Sequence, residues 1–448
     1  MRLPAIGLMA VLPTVLLSMS LTAQSPSYDL AIRHARVVHG DGRVTPRASV
    51  FVLSGRVHRI DITAAADGVP ARRSLEASGL TLMPGLIDAH VHVEAWALPL
   101  FLKYGVTSVR DVHNAPATVL PLARDDSPAR PRVLAAGAML DGPGSVWPDA
   151  IVVSDIASVR QAVRAQIEAG ASVIKVYSRL SSSVIAAVVQ EARARGVPVA
   201  AHLGRATAVE AAVAGVASIE HLSGIADAAS SDPQRMKRAH DDFLGGWTAF
   251  ELEWLSLAPP VLDQVSRALI ERGVTLVPTL ALHEAFSRLA DEELGRDPAL
   301  ADVPKEVLAG RWAPADIMAR ARWTPATLEQ FKRVLPILQR FVARYVQLGG
   351  RIAAGTDTAQ QYVVPGASLH REIELYVAGG LTPAQALRSA TADAADLLGI
   401  AGRAGTIDIG KDADLVLLDG DPLRDIRATR RIRQVVRAGV LVAARSTP

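Results

Sequence analysis

The sequence predicts an α/β protein whose main part is a (β/α)8 barrel, flanked by a smaller β-rich unit. Two observations support this fold class. In the middle of the chain, eight short apolar runs rich in β-branched residues alternate with helix-like runs, which is the element order of a barrel of parallel strands. At both ends of the chain, short β-rich pieces are separated by turn residues.

The β-rich pieces at the two ends are defined by apolar residues and by the turns between them. Gly40-Asp41-Gly42 and Ser54-Gly55 mark two turns near the N-terminus. Neither end makes a good sheet alone. The predicted strands lie at 30–32, 35–38, 49–53 and 57–60, and again at 413–418 and 435–442.

The central part of the chain, from about residue 84 to about 400, is within the size range of a (β/α)8 TIM barrel. The active site of such a barrel lies at the carboxyl ends of its strands, and the candidate ligands named below all fall there. Predicted helices lie at 159–169, 183–195 and 369–378. Predicted strands lie at 86–92, 106–112, 132–136, 173–177, 197–202, 218–221, 275–279 and 351–356.

The composition indicates an ordinary globular protein and argues against nucleic-acid binding. The 448 residues are 50% hydrophobic and 21% charged, and 48 basic residues against 45 acidic ones leave a net charge of only +3. The sequence has no dense basic run with interleaved aromatic residues, so we expect no nucleic-acid partner. Cysteine is absent, which excludes disulfides, a cysteine nucleophile and a lipidated cysteine anchor.

Residues 1–23 are predicted to be a secretory signal peptide. A basic start is followed by an apolar run at 6–17 and by small residues up to Ala23. An uncleaved membrane anchor is the alternative, but Pro13 interrupts the run, and a spanning helix needs about 20 apolar residues. We therefore expect export to a periplasm or the medium, with no membrane attachment after cleavage.

Two histidines close a strand-like stretch at 83–93. His90 and His92 are two residues apart, so on a strand both side chains leave the same face. Two imidazoles on one face at a strand end form half of a metal site. An isolated pair of this kind could equally be two unrelated surface histidines. The context Pro-Gly-Leu-Ile-Asp-Ala-His-Val-His favours the metal site.

Four further short motifs follow in the chain. They are Ile-Lys-Val-Tyr around Lys175, Ala-His-Leu-Gly around His202, Ile-Glu-His ending at His221, and Ala-Gly-Thr-Asp ending at Asp357. Each is weak alone, but in this order and spacing the sequence resembles the amidohydrolase superfamily over nearly its whole length. The first three are similar to the imidazolonepropionase-like group that includes Xaa-Pro and related dipeptidases.

The resemblance implies a small β-sandwich domain built from both termini. With the signal peptide at 1–23, the N-terminal part of the sandwich would occupy 28–83 and its C-terminal part 401–448. The metal-dependent hydrolase barrel would occupy 84–400. The segment Asp408-Ile409-Gly410-Lys411-Asp412 is then expected to be a turn of the sandwich rather than a catalytic acid cluster.

The resemblance also implies a centre of two divalent metal ions. Neutral imidazoles and a carboxylate suit zinc. Two such ions need an anionic bridge, and the resemblance implies that this bridge is a carbamate formed from carbon dioxide and the lysine amine. The implied ligands are His90, His92, Lys175, His202, His221 and Asp357.

The implied reaction is hydrolysis of a C–N bond, in an amide, peptide or carbamate, by a metal-bridging hydroxide. Asp357 would take the proton of the attacking water and pass it to the leaving amine. Tyr177 lies two residues beyond Lys175 and could donate a hydrogen bond to the carbonyl oxygen of the substrate. It could equally be a tyrosine that only packs at the barrel rim.

Other functions of the same fold remain open. One is a mononuclear deaminase or cyclic-amide or amidine hydrolase, although a one-metal site has no need of the Lys175 bridge. A lactonase and a scaffold protein without activity are further alternatives, and the complete ligand set argues against the scaffold. The chain also departs from many relatives at 138–144, where it lacks a histidine. Recognition of a substrate carboxylate by that loop is therefore not implied.

The substrate pocket is expected to involve two long connections, at 223–272 and 283–344. Neither connection carries a readable motif, so the sequence does not specify the exact substrate. We expect a small-molecule or dipeptide substrate and a homo-oligomeric enzyme. The tryptophans either pack these insertions or line an apolar or aromatic pocket. All of them follow predicted barrel strands: Trp96, Trp147, Trp247, Trp254, Trp312 and Trp323.

Overall fold

The computed structural model describes residues 27–442, so the predicted signal peptide lies outside the described residues. The strands are β1 (Tyr28–Val38), β2 (Val44–Leu53), β3 (Arg56–Asp61), β4 (Ala71–Glu76), β5 (Thr81–Pro84), β6 (Leu86–Val91), β7 (Val106–Asp111), β8 (Arg132–Ala135), β9 (Leu140–Asp141), β10 (Ile151–Val152), β11 (Ile174–Val176), β12 (Val199–Ala201), β13 (Ser218–Glu220), β14 (Thr275–Val277), β15 (Arg351–Ile352), β16 (Leu415–Leu418), β17 (Ile432–Arg437) and β18 (Val440–Val442).

The α-helices follow the central strands and fill the two long connections. They are α1 (Leu98–Lys103), α2 (Pro116–Arg124), α3 (Ile156–Glu168), α4 (Ser182–Arg193), α5 (Ala208–Ala214), α6 (Ile225–Ala229), α7 (Pro233–Ala239), α8 (Phe243–Glu253), α9 (Pro259–Ile270), α10 (Leu280–Ser287), α11 (Lys305–Ala309), α12 (Pro314–Ala321), α13 (Pro325–Gln347), α14 (Ala367–Ala378), α15 (Pro383–Ser389) and α16 (Ala392–Leu397). Short 3-10 helices lie at Ala64–Gly68, Leu294–Arg296, Pro298–Asp302 and Ile426–Arg430.

Strands from both ends of the chain pair in one eight-stranded sheet, which we call the terminal sheet. Its order is β18-β17-β16-β5-β1-β2-β3, and β4 branches from β1. The branch arises because β1 is long and bulged, so its first half pairs with β4 and its second half with β5. β16 pairs antiparallel with β5 and so joins the C-terminus to the N-terminus. Hydrogen bonding thus connects the strands of both chain ends in one branched sheet, at the place where the β-sandwich is predicted.

The central strands are parallel, which confirms the α/β class. They form a three-stranded sheet, β6-β7-β8, and a seven-stranded sheet, β10-β9-β11-β12-β13-β14-β15. Each predicted central strand is present in shorter form, and the two-residue strands β9 and β10 were not predicted. Over residues 27–442 the ladders do not trace one continuous closed barrel. One parallel bridge, between Val91 and Thr358, links the β6 end of the smaller sheet to the segment after β15.

The core lies between the central strands and the helices that follow them. α4 shows the pattern: Ser181 caps its N-terminus by accepting a hydrogen bond from the backbone N–H of Val184. The helix then buries residues such as Ile185 and Val188 against the strands. A helix long and apolar enough to span a bilayer does not occur between residues 27 and 442. The fold therefore leaves the carboxyl edge of the parallel strands as the place where polar side chains meet.

Candidate active site

The six predicted ligands lie in or after five of the central strands, towards the same edge of the sheets. The reason is that parallel strands carry their carboxyl ends at one edge. His90 and Lys175 lie within β6 and β11, and His92 directly follows β6. His202 and His221 directly follow β12 and β13, and Asp357 lies in the loop after β15.

His90, His92 and Asp357 bring three potential ligand atoms together. Nε2 of His92 lies 2.9 Å from Oδ1 of Asp357, and Nε2 of His90 lies 3.4 Å from the same oxygen. Oδ1 of Asp357 is nevertheless buried without an aligned hydrogen-bond partner. The ligand atoms of the three residues lie within 4.8 Å of one another. This arrangement fits ligands that face a common cation rather than each other.

Two more imidazoles continue this cluster. The ring centroids of His90 and His221 are 4.5 Å apart, and those of His221 and His202 are 4.7 Å apart. Nδ1 of His221 lies 3.9 Å from Oδ2 of Asp357 and also hydrogen-bonds with the Thr279 hydroxyl at 2.8 Å. The ring of His221 thus lies between the rings of His90 and His202.

The local backbone is shaped to bring Asp357 to His90. Asp357 has a φ of +61°, in the left-handed region, and its N–H donates to the carbonyl oxygen of His90 at 2.8 Å. Gly355 packs so closely here that a Cβ would lie 2.8 Å from Cβ of His90 and 2.5 Å from Cγ1 of Val277. Glycine in the Ala-Gly-Thr-Asp motif therefore allows the contact between these two chain segments.

Lys175 is a buried amine without a partner. It is 2% exposed, and its Nζ makes no hydrogen bond. Desolvation by burial lowers the pKa of Lys175 to about 8, with Glu220 opposing the shift and Arg110 reinforcing it. A buried cation without a bonded counter-charge is costly, which favours the neutral amine.

Burial and neighbouring charges also set the state of the other groups. Burial alone would raise the pKa of Asp357, but the imidazoles of His90 and His221 outweigh it and hold that pKa well below its ordinary value. Desolvation lowers the pKa values of His202 and His221 well below the ordinary imidazole value. An ionised carboxylate and neutral imidazoles are the forms that ligate divalent metals.

A second layer of hydrogen bonds orients the first two histidines. Nδ1 of His90 contacts Oε2 of Glu220 at 2.6 Å, and Nδ1 of His92 contacts the carbonyl oxygen of His113 at 2.9 Å. Arg110 holds Glu220 from the other side, with Nη2 at 2.9 Å from Oε1. The sequence motifs did not predict a role for Glu220 or Arg110. A charged residue inside an apolar strand, next to a predicted ligand, is nevertheless a signal that could indicate such a role.

Aromatic rings border the site on the side of Lys175 and His202. The Tyr177 ring lies 4.4 Å from the His202 ring and 5.7 Å from the Phe243 ring, between centroids. Tyr177 is 8% exposed, and burial raises its pKa well above its ordinary value, so it keeps its hydroxyl proton. Trp147 packs edge-on against Tyr177 and is 36% exposed. Both of the roles considered for Tyr177 are compatible with this position.

The tryptophans differ in where they lie. Trp254, Trp312 and Trp323 are buried and pack within the core and the insertions. Trp247 lies at the site, with its ring 6.0 Å from that of His221 and 6.3 Å from that of His202.

The histidines outside the ligand motifs have partners of their own. Nε2 of His240 bonds to Asp227 at 2.8 Å, and His283 pairs with Glu251 while its ring stacks on Trp247. Nε2 of His113 lies 3.2 Å from Asp149. His370 bonds to the Thr429 hydroxyl at 2.9 Å, in a buried position.

Comparison with known proteins agrees with this fold and site. The Amidohydrolase family matches residues 81–442. An ochratoxinase from Aspergillus niger is 25% identical over 401 residues, which cover 80% of this chain and 68% of that protein. Among solved structures, a proposed prolidase from Bifidobacterium longum has a TM-score of 0.68 and 26% identity, over 93% of this chain and 95% of that one. A bottromycin amidohydrolase has a TM-score of 0.70 and 25% identity, over 92% and 86%.

The fold and the matched residues define the class of this protein as a hydrolase acting on carbon–nitrogen bonds. The chain belongs to the Amidohydrolase family, and its similarity to dipeptidase-like members confirms the family predicted from the sequence motifs.

Proposed function

We propose that the protein is a binuclear metal amidohydrolase that cleaves an amide, peptide or carbamate bond of a small molecule or dipeptide. The observation that carries this proposal is the convergence of His90, His92 and Asp357 on one point, with ligand atoms within 4.8 Å of one another. The side chains of His202 and His221 supply two further imidazoles beside this group.

The side chains present could hold a pair of divalent ions. His90, His92 and Asp357 would hold one ion, and His202 and His221 the other. Lys175 would supply the shared anionic ligand as a carbamate. Its buried Nζ has no hydrogen-bond partner, and its lowered pKa favours the neutral amine that can add carbon dioxide. The nitrogen and oxygen ligands suit zinc.

Bound divalent metals would acidify the attacking water and polarise the scissile carbonyl group. Asp357 would accept the proton of the water and return it to the leaving nitrogen, because its carboxylate is ionised and already faces the ligand atoms. Tyr177, which keeps its hydroxyl proton, would donate a hydrogen bond to the carbonyl oxygen of the substrate.

We propose further that the two parallel sheets are parts of one (β/α)8 barrel. The Val91–Thr358 bridge supports closure on one side. On the other side, the N–H of Ser172, before β11, donates to the carbonyl oxygen of Ala135 in β8 at 2.9 Å. Export through the segment 1–23, a homo-oligomeric state and the absence of a nucleic-acid partner remain predictions from the sequence.

The proposal is tested by metal content and by a substrate panel. Native mass spectrometry of the purified protein should show two metal ions per chain. The metal-replete enzyme should hydrolyse members of a panel of N-acyl amino acids, Xaa-Pro dipeptides, aryl amides and carbamates, with lactones as the comparison. Chelation should remove this activity. One ion per chain, together with deamination or cyclic-amide opening, would favour the mononuclear alternative.

A further inference from the structure

A buried network connects three strands behind His90. Nδ1 of His90 contacts Oε2 of Glu220 at 2.6 Å, and Ser218 donates its hydroxyl to Oε1 of Glu220 at 2.5 Å. Arg110 contacts both oxygens of Glu220, at 2.9 Å and 3.1 Å, and donates Nε to the carbonyl oxygen of Ala89. Glu220 is fully buried and Arg110 is 4% exposed.

The network determines which nitrogen of His90 carries hydrogen. The carboxylate of Glu220 only accepts hydrogen bonds, since Arg110 and Ser218 both donate to it. The short contact to Nδ1 of His90 therefore requires an N–H at Nδ1. In the neutral ring this leaves the lone pair on Nε2, the atom that lies 3.4 Å from Oδ1 of Asp357.

We propose that Glu220 is a positioning residue that fixes His90 in the Nδ1–H tautomer, and that Arg110 fixes the direction of Glu220. This inference rests on the proposed metal-dependent function, because the orientation matters only if Nε2 ligates an ion. Arg110 donates to both carboxylate oxygens, so that Glu220 stays an orienting group and does not turn into the site as a ligand.

His92 offers an internal comparison. Its Nδ1 contacts the carbonyl oxygen of His113 at 2.9 Å, and a backbone carbonyl is also only an acceptor. Both histidines are thus held in the same tautomer, one by a side chain and one by the main chain. A substitution at Glu220 should therefore change His90 and leave His92 as it is.

Glu220→Gln is the informative change because its amide has two different ends. Arg110 and Ser218 need an acceptor, so the amide oxygen should face them and its NH2 group should face His90. Nδ1 of His90 must then accept, and the ring hydrogen moves to Nε2. In the double variant Arg110→Met with Glu220→Gln, the amide is free to turn its oxygen back to His90, because Ser218 can accept as well as donate.

The test reads the tautomers by 15N NMR of histidine-labelled full-length protein. Spectra are recorded without metal or substrate, at alkaline pH where imidazoles are neutral, and His90 is assigned through a His90 variant. Zinc affinity is measured in parallel by competition with a chelator. In the wild type, both His90 and His92 should be Nδ1–H. In Glu220→Gln, His90 should become Nε2–H and zinc affinity should fall about tenfold or more, while His92 stays Nδ1–H.

The double variant should restore Nδ1–H at His90 and most of the lost zinc affinity. An Nε2–H tautomer at His90 in the wild type, or an unchanged tautomer in Glu220→Gln, would overturn the inference. The hydrogen bonds of Glu220 would then only stabilise the fold. If Glu220→Gln does not fold, the double variant alone tests the inference. An Nε2–H tautomer of His90 in the double variant would contradict it. A failure of the amidase assay would count against the proposed function without changing the tautomer result.

Discussion

Two buried clusters of charged side chains lie at opposite ends of the central strands and differ in whether each acid is paired with a permanently charged base. One is the candidate active site at the carboxyl ends. The other, which we call the junction cluster, consists of Arg132, Asp412, Asp414 and Arg437 and joins the terminal sheet to the start of β8. Asp414 accepts from Nη1 of Arg132 and Nη1 of Arg437, both at 3.1 Å. Asp412 accepts from Nη2 of Arg132 at 2.7 Å.

The difference separates charges that hold the fold together from charges available for chemistry. In the junction cluster, guanidinium groups hold both carboxylates, and the buried Nε atoms of Arg132 and Arg437 are the groups there without a hydrogen-bond partner. In the active site, Nζ of Lys175 and Oδ1 of Asp357 are buried without an aligned hydrogen-bond partner. A buried amine or carboxylate oxygen without a bonded counter-charge is costly, and in the active site a bound cation would supply the partner that Asp357 lacks. Substitutions in the two clusters should therefore have different consequences.

The largest effect is expected at Lys175. Lys175→Ala should remove nearly all activity and the second metal ion, because the proposed bridge is an anionic carbamate. Lys175→Arg keeps a positive charge and should fail as fully as alanine. The measurements are kcat/KM on the best substrate of the panel and the number of ions per chain by native mass spectrometry.

Chemical rescue provides the control for Lys175. Small carboxylic acids should partly restore Lys175→Ala by occupying the place of the carbamate. The wild-type enzyme, stripped of metal and reconstituted, should need bicarbonate as well as zinc for full recovery. If Lys175→Arg retains two ions and substantial turnover, Lys175 is a rim lysine and the one-metal alternative becomes the better account.

The next effect is expected at Asp357. Asp357→Asn should keep most of the metal, since the amide oxygen can still ligate weakly, but it cannot take a proton from water. Loss of general acid–base catalysis should lower kcat by about 10²–10⁴-fold. Turnover close to that of the wild type would remove Asp357 from the mechanism.

The smallest effect on activity is expected in the junction cluster. Asp414→Asn leaves the buried guanidinium groups of Arg132 and Arg437 short of an anionic partner and should cost about 3 kcal/mol of stability. The turnover of the folded fraction should stay unchanged. The matched control is Asp396→Asn, which breaks the exposed pair with Arg351 and should cost at most about 1 kcal/mol. Thermal denaturation of both variants under one set of conditions, with kcat measured alongside, decides the comparison.

The sequence predicts where the candidate metal ligands lie better than it predicts the residues that orient them. His90 and His92 were predictable because a two-residue spacing on a strand fixes their common face. The places of the other ligands follow from strand ends, since parallel strands bring those ends to one edge. The contact of Arg110 with Glu220 joins residues from β7 and β13, so only the folded chain reveals it. The left-handed backbone of His221 carries no comparable signal, because histidine is not a residue that requires it.

The terminal sheet was predicted only in part for a similar reason. The short β-rich pieces predict strands at both chain ends, and the pairing of the two ends was implied by the resemblance to the family. β4 was missed because its residues are mostly exposed and polar, so its strand state depends on parallel pairing with β1 rather than on an apolar pattern. β5 was missed because it is only four residues long and Gly85 alone separates it from β6.

The pairing of β5 with β16 has a consequence for how the protein is made. The partner residues Met83 and Val416 lie far apart in the chain, so one edge of β5 stays uncovered until residue 416 has been synthesised. Strand β5, which immediately precedes the strand that contains His90, is thus among the last to gain all of its neighbouring strands. Assembly of the terminal sheet therefore waits for its C-terminal strands, and it carries the high sequence separation that slows folding.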